Sequence, residues 1–162
     1  MQRDQREEPV ISGERTVSDA MLALHSPVRE WIAAFNAHDV SALVALYTDE
    51  AELGDSGMKY PRRGKVAIED WFTQRFARMP TIEYIPTHHY FMAEHQAAIT
   101  WTARGRTPRL LGQKWLSRPF HVDGVSVFTL ENGRIAWQHG YYDHLAVVER
   151  VLPFLQWLPS RL

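Results

Sequence analysis

The spacing of apolar residues changes part-way along this chain, and that change bounds the fold more tightly than any other feature. Up to about residue 78 the apolar side chains recur at helical spacing; from 81 to 142 they alternate with polar ones. A helix brings the same face round every ~3.6 residues and a strand every second residue. The chain therefore reads as helices followed by strands, which implies an α+β fold with helices against one face of a bent antiparallel sheet.

Ser26-Pro27 reads as a helix start, with Trp31, Ala34 and Phe35 on one face through Ala37. Asp39 caps a second short helix in which Leu43, Leu46 and Tyr47 share a face. Residues 49–53 read as a short strand before the turn-rich Gly54-Asp55-Ser56-Gly57. A third helix over 65–78 carries Ile68, Trp71, Phe72 and Phe76, and Pro80 stops it. Strands follow over 81–95, with a break or bulge at Pro86, then over 97–103, 120–130 and 134–142. Glu131-Asn132-Gly133 is a tight hairpin turn. Residues 105–119 carry Leu110, Leu111, Trp115 and Leu116, too apolar for a solvated loop, so they read as a flap over a pocket or a subunit contact. Asp143 caps a last helix over 144–152, and an apolar tail over 154–158 docks on the body.

With 162 residues, no internal repeat and no linker, the chain reads as a polar extension over 1–19, too polar for a signal peptide, and one domain over 20–162. A net charge of −1 gives no reason to expect nucleic acid or an anionic membrane as partner. No apolar run approaches the ~20 residues of a membrane span. Cysteine is absent, which excludes disulfides, thiol catalysis and cysteine-based zinc sites and fits a cytoplasmic location. No phosphate-binding glycine loop and no Gly-x-Ser-x-Gly elbow is present, so no cofactor is expected. His88 and His89 are neighbours on a strand and face opposite sides, poor spacing for a metal, and no metal is expected either.

Trp31-Ile-Ala-Ala-Phe-Asn-Ala-His-Asp39 with Leu43-Val-Ala-Leu-Tyr47 resembles the opening of the nuclear transport factor two-like superfamily. Pro61-Arg-Arg-Gly-Lys-Val-Ala-Ile68 and Phe128-Thr-Leu-Glu-Asn-Gly-Arg-Ile135 extend the likeness over about 27–152, nearest to ketosteroid isomerases and SnoaL-like polyketide cyclases. The resemblance implies a cone-shaped curved sheet around three helices, an apolar pocket for a hydrophobic small molecule, and a homodimer joined through the outer sheet face.

It also places Asp55 where the isomerases keep their base carboxylate. A carboxylate beside an apolar cavity is poorly solvated, which makes it a better base; read locally, Asp55 is equally a turn residue. The isomerases' tyrosine on the first helix falls at Trp31 and the supporting one at Phe72, and their protonated acid falls near Gly124 or Val125. Tyr47, on the second helix, is a candidate donor in their place. The cyclases' acid/base aspartate falls at Gly140, leaving His139 as a catalytic candidate or Gln138 as a hydrogen-bond donor; alternation admits one of them to the pocket. His88 is a further catalytic candidate if its side faces in. Asp123 reads as outward, because Phe120, Val122, Phe128 and Leu130 set the even positions inward. The arginine and second aspartate of this fold's epoxide hydrolases fall near Trp101 and Ala103, and neither is retained. Trp31, Trp71, Phe72, Ile99, Trp101, Phe128 and Tyr142 are expected as pocket wall. The expected activity is acid–base isomerisation, cyclisation or elimination on a carbonyl-bearing molecule; the alternative is a binding or dimerisation module of the same fold.

Overall fold

The structure, a computed structural model, describes residues 26–106 and 119–143. The predicted extension over 1–19, residues 107–118 of the apolar connection, the helix over 144–152 and the tail over 154–158 lie outside the described residues.

Helix α1 (Ser26–Asn36) and helix α2 (Val40–Ala45) come first. The Asp39 side chain accepts the Ala42 N–H at 2.9 Å and starts α2 as expected of a cap. Strand β1 (Tyr47–Asp55), a two-residue strand β2 (Arg62–Arg63) and helix α3 (Gly64–Arg78) follow, then β3 (Glu83–Met92), β4 (Gln96–Arg106), β5 (Pro119–Glu131) and β6 (Arg134–Tyr142). Tyr47 therefore opens β1 and does not sit on the second helix. The helical spacing of Leu43, Leu46 and Tyr47 misleads because α2 stops after six residues. β1 also runs longer than the strand predicted over 49–53, and carries Gly54 and Asp55 to its end.

The described strands form one sheet in the order β2-β1-β6-β5-β4-β3. All pairs are antiparallel except β1 with β6, which is parallel and places Asp55 beside Gly140. The β5–β6 hairpin turns at Asn132 and Gly133, with φ of 50° and 75°; two successive positive φ values are what Asn-Gly supplies readily. β3 has its irregularity between Pro86 and Tyr90, where the proline predicts one.

The helices lie against the inner sheet face and bury Phe35, Leu43, Ile68 and Phe72 against Phe128 and Ile135. An aromatic chain crosses this core: Phe35 stacks on Tyr84 at 4.2 Å and Tyr84 on Trp101 at 4.3 Å. Asn36, at the end of α1, accepts the Tyr84 N–H at 2.7 Å and donates to the Tyr84 carbonyl at 2.9 Å, tying the helix to strand β3.

Candidate active site

Inside the curve of the sheet, two adjoining cavities share Arg75 and Tyr84 as a common wall. The first, about 300 Å³ out to its mouth, is lined by Trp31, Asp55, Trp71, Arg75, Ser126 and Gln138 among others. The second, about 420 Å³ with the open solvent at its mouth included, is largely apolar, with Met79, Ile82, Trp101, Phe120, Val122 and Tyr142 around it. A ligand spanning both would have one polar end and one apolar end.

Asp55 reaches this place because β1 runs on through Gly54 before the chain turns. Its Oδ1 accepts the Gly57 N–H at 2.7 Å, so it is a turn residue as well as a cavity residue. The Tyr142 hydroxyl lies 3.3 Å from the same oxygen. Oδ2 faces the Arg75 guanidinium at 3.7 Å, a pair with both side chains largely buried. That distance exceeds a hydrogen bond, so among the described residues Oδ2 accepts none.

Arg75 comes from α3 and lies over the Trp71 ring at 5.7 Å, with the Tyr84 hydroxyl 3.4 Å from Nη2. Burial opposes its charge, but Tyr84, Asp55 and Tyr142 outweigh burial and hold its pKa above the usual arginine value. Its buried Nε has no hydrogen-bond partner among the described residues. Burial, and then the Asp55 charge, push the Tyr142 phenol up. Burial also raises Tyr84, against the pull of Arg75. Both phenols are therefore neutral donors near neutral pH.

Behind the first cavity runs a hydrogen-bonded chain. The Trp31 indole donates to the Tyr47 hydroxyl at 2.8 Å, and Tyr47 donates to Gln138 Oε1. Burial pushes the Tyr47 phenol up strongly, so it keeps its proton. Tyr47 has no exposed surface and lines neither cavity, so its contact is with Gln138 and not with a ligand.

The strand registers decide the remaining candidates. Gln138, Gly140 and Tyr142 face in. His139 faces out, packed between Trp137 at 5.9 Å and Tyr141 at 4.4 Å and against Gly54, and is not placed for catalysis in the cone. Trp31, Trp71, Phe72 and Trp101 line the cavities, but Ile99 and Phe128 fill core and touch neither. Asp123 is exposed and accepts from Thr102 at 2.6 Å, outward as predicted. His88 lies in β3, and its side chain falls outside the described residues. Among the described residues no three His, Asp or Glu side chains come together as metal ligands.

The SnoaL-like domain family matches residues 28–138. The chain belongs to that family. Among solved structures, a protein assigned to the SnoaL-like polyketide cyclases from Shewanella denitrificans OS-217 is similar at 15% identity, covering 78% of this chain and 95% of that one, TM-score 0.68. A protein of ketosteroid isomerase-like fold from Catenulispora acidiphila, in complex with trimethylamine, is 19% identical over 78% of this chain and 92% of that one, TM-score 0.67. A protein assigned as a polyketide cyclase from Sinorhizobium meliloti is 22% identical over 74% and 97%, TM-score 0.58. At these identities the likeness speaks for the fold. No curated protein matches the chain significantly.

Three residues of this SnoaL-like site escape the sequence reading: Arg75, Tyr84 and Ser126. Each leaves a trace there. Arg75 falls in the apolar stripe of α3 with Ile68, Trp71, Phe72 and Phe76, a cation on the core-facing side. Ser126 is a lone hydroxyl among the inward even positions of β5. Tyr84 alternates with the buried Ile82.

Proposed function

We propose that this protein is a cofactor-independent acid–base enzyme acting on a hydrophobic, carbonyl-bearing small molecule of polyketide- or terpenoid-like character. Asp55 removes a proton from the carbon next to the carbonyl, and isomerisation, cyclisation or elimination follows. The observation that carries the reading is the Asp55 carboxylate in a part-polar cavity that adjoins a largely apolar one across Arg75 and Tyr84. Membership of the SnoaL-like family and relatives named as polyketide cyclases support it. Trp31, Trp71, Phe72 and Trp101 form walls, Gln138 offers a donor and Tyr142 holds the carboxylate. The protein works in the cytoplasm as a homodimer joined through the outer sheet face, where Phe91 and Tyr141 stand exposed; sedimentation should give a particle of two chains.

Turnover on a panel of hydrophobic enones and β-diketones tests the base assignment. Asp55→Asn should lower it at least ~100-fold, the scale of general base catalysis. Unchanged turnover would remove Asp55 from the chemistry.

A second reading, a binding module without chemistry, draws on the three groups already gathered on Asp55, namely Gly57, Tyr142 and Arg75. Ligand recovered unaltered from the purified protein, with wild-type protein inert toward the panel, would favour it.

A further inference from the structure

The geometry points to an oxyanion-binding corner over Gly140, made by the hydroxyl of Ser126 and the side-chain amide of Gln138. The assignment rests on the carbonyl-substrate reading above. It follows from the direction of two hydrogen-bonded chains, each of which begins at a tryptophan.

An indole N–H can only donate. Trp101 donates to Ser126 Oγ at 2.9 Å, so that oxygen is an acceptor there and keeps its own hydrogen for another partner. Ser126 is 1% exposed, lines the cavity, and has no acceptor for that hydrogen among the described residues. Trp31 donates to Tyr47 in the same way. Tyr47 is wholly buried, and its hydrogen goes to Gln138 Oε1. With Oε1 held, Gln138 carries Nε2 as a donor without a partner among the described residues. Both chains thus end at the cavity in a hydrogen still to be given.

Both ends open on the cavity that Gly140 and Asp55 also line. Gly140 pairs with Ser126 across β5–β6 and with Asp55 across β1–β6. Gln138 precedes it by two residues on the same inward row. A Cβ on Gly140 would meet Ser126 Oγ at 3.9 Å and Asp55 Cβ at 3.5 Å. The missing side chain therefore leaves a space between Asp55 and Ser126, in the cavity that Gln138 also lines. A ketone seated there puts its α-carbon toward Asp55 and its oxygen toward Ser126 and Gln138. When the C–H bond breaks, the proton goes to Asp55 Oδ2 and the electron pair forms the C=C bond. The negative charge ends on the oxygen, where fixed donors favour it most. Ser126 and Gln138 are the catalytic donors; Trp31, Tyr47 and Trp101 are positioning residues.

Binding of 4-nitrophenolate, followed by its absorbance, tests this on Asp55→Asn protein, in which no carboxylate faces the probe. Adding Ser126→Ala or Gln138→Leu should weaken phenolate binding ~10-fold or more each, the scale of a hydrogen bond to a charged acceptor. Binding of 4-nitrotoluene, which has a methyl group in place of the oxygen, should not change. Should Gln138→Leu fail to fold because Tyr47 loses its acceptor, Ser126→Ala decides alone. Phenolate affinity unchanged in Ser126→Ala, as Arg75 holding the oxygen would give, overturns the assignment, and so does equal weakening of both probes. Phenolate binding needs no proton abstraction, so this result and the Asp55 turnover result can fail separately.

Discussion

Gly140 shows how one position can matter to the site and little to the fold. Its hypothetical Cβ sits at ordinary van der Waals distance from Asp55 and Ser126, and alanine costs less chain entropy than glycine in a strand. Gly140→Ala should therefore leave the melting temperature level or slightly higher. The added methyl group occupies the space between Asp55 and Ser126, so if these are the base and a donor as proposed, turnover on the ketone panel should fall ~10-fold or more, about one misplaced reacting centre. Thermal denaturation beside activity on the same preparations checks both halves; a large loss of stability would show that the gap serves packing. Gly124 makes the contrast. A Cβ there would run into the Trp101 ring and lie 2.7 Å from the Tyr141 carbonyl oxygen. Gly124→Ala should cost ~1–3 kcal/mol in overpacking.

Among the elements, β3 is the strand whose attachment shapes the cavity, because it carries Tyr84 at the wall shared by both cavities. Asn36 holds it through both polar groups of the Tyr84 backbone. Asn36→Ala leaves that N–H and carbonyl without their partner, a loss of ~1–3 kcal/mol that chemical denaturation would register. An unchanged midpoint would mean that β4 alone seats the strand. Much of the element order was legible, because helical spacing up to Arg78 and alternation beyond Ile82 are local properties of the chain. Facing was less so. On β6 both Ile135 and Gln138 are buried and inward, although they are three residues apart. Pairing steps from Leu130↔Ile135 to Thr129↔Trp137, so Ala136 is an extra residue that reverses the parity. Counting alternately from Ile135 would turn His139 inward. Tyr47 was read as inward, and it is buried, but on the wrong element: it opens β1, paired in parallel with Ile135, which no local pattern announces. Asp55 was legible through resemblance, whereas Arg75 required reading a charge inside an apolar stripe as a site residue.

At the scale of the whole molecule, the fold buries phenols along with the site. Tyr47, Tyr84 and Tyr142 all hold their protons more tightly folded than their ordinary value of 10.0. Above that value the unfolded chain releases protons that the folded chain retains. The stability contributed is fully present below pH 10.0 and is lost as pH rises through the higher folded values. Melting temperature should fall between ~pH 9 and ~pH 11.5, and the fall should be shallower in Tyr47→Phe. An identical slope in that variant would show that other groups govern alkaline unfolding. The same burial leaves a chemically uneven interior, polar at Asp55 and Gly140 and apolar toward Met79 and Val122.

That unevenness is what makes proton abstraction the central claim, and deuterium uptake reads it without knowledge of the natural product. The hydrophobic ketone 2-tetralone, held with the protein in D2O and followed by proton NMR, exchanges the hydrogens next to its carbonyl only as fast as a base removes them. Wild-type protein should speed that exchange over buffer, and Asp55→Asn should lose at least ~100-fold of the increment. Equal exchange in the two proteins, or none above buffer in either, would contradict it.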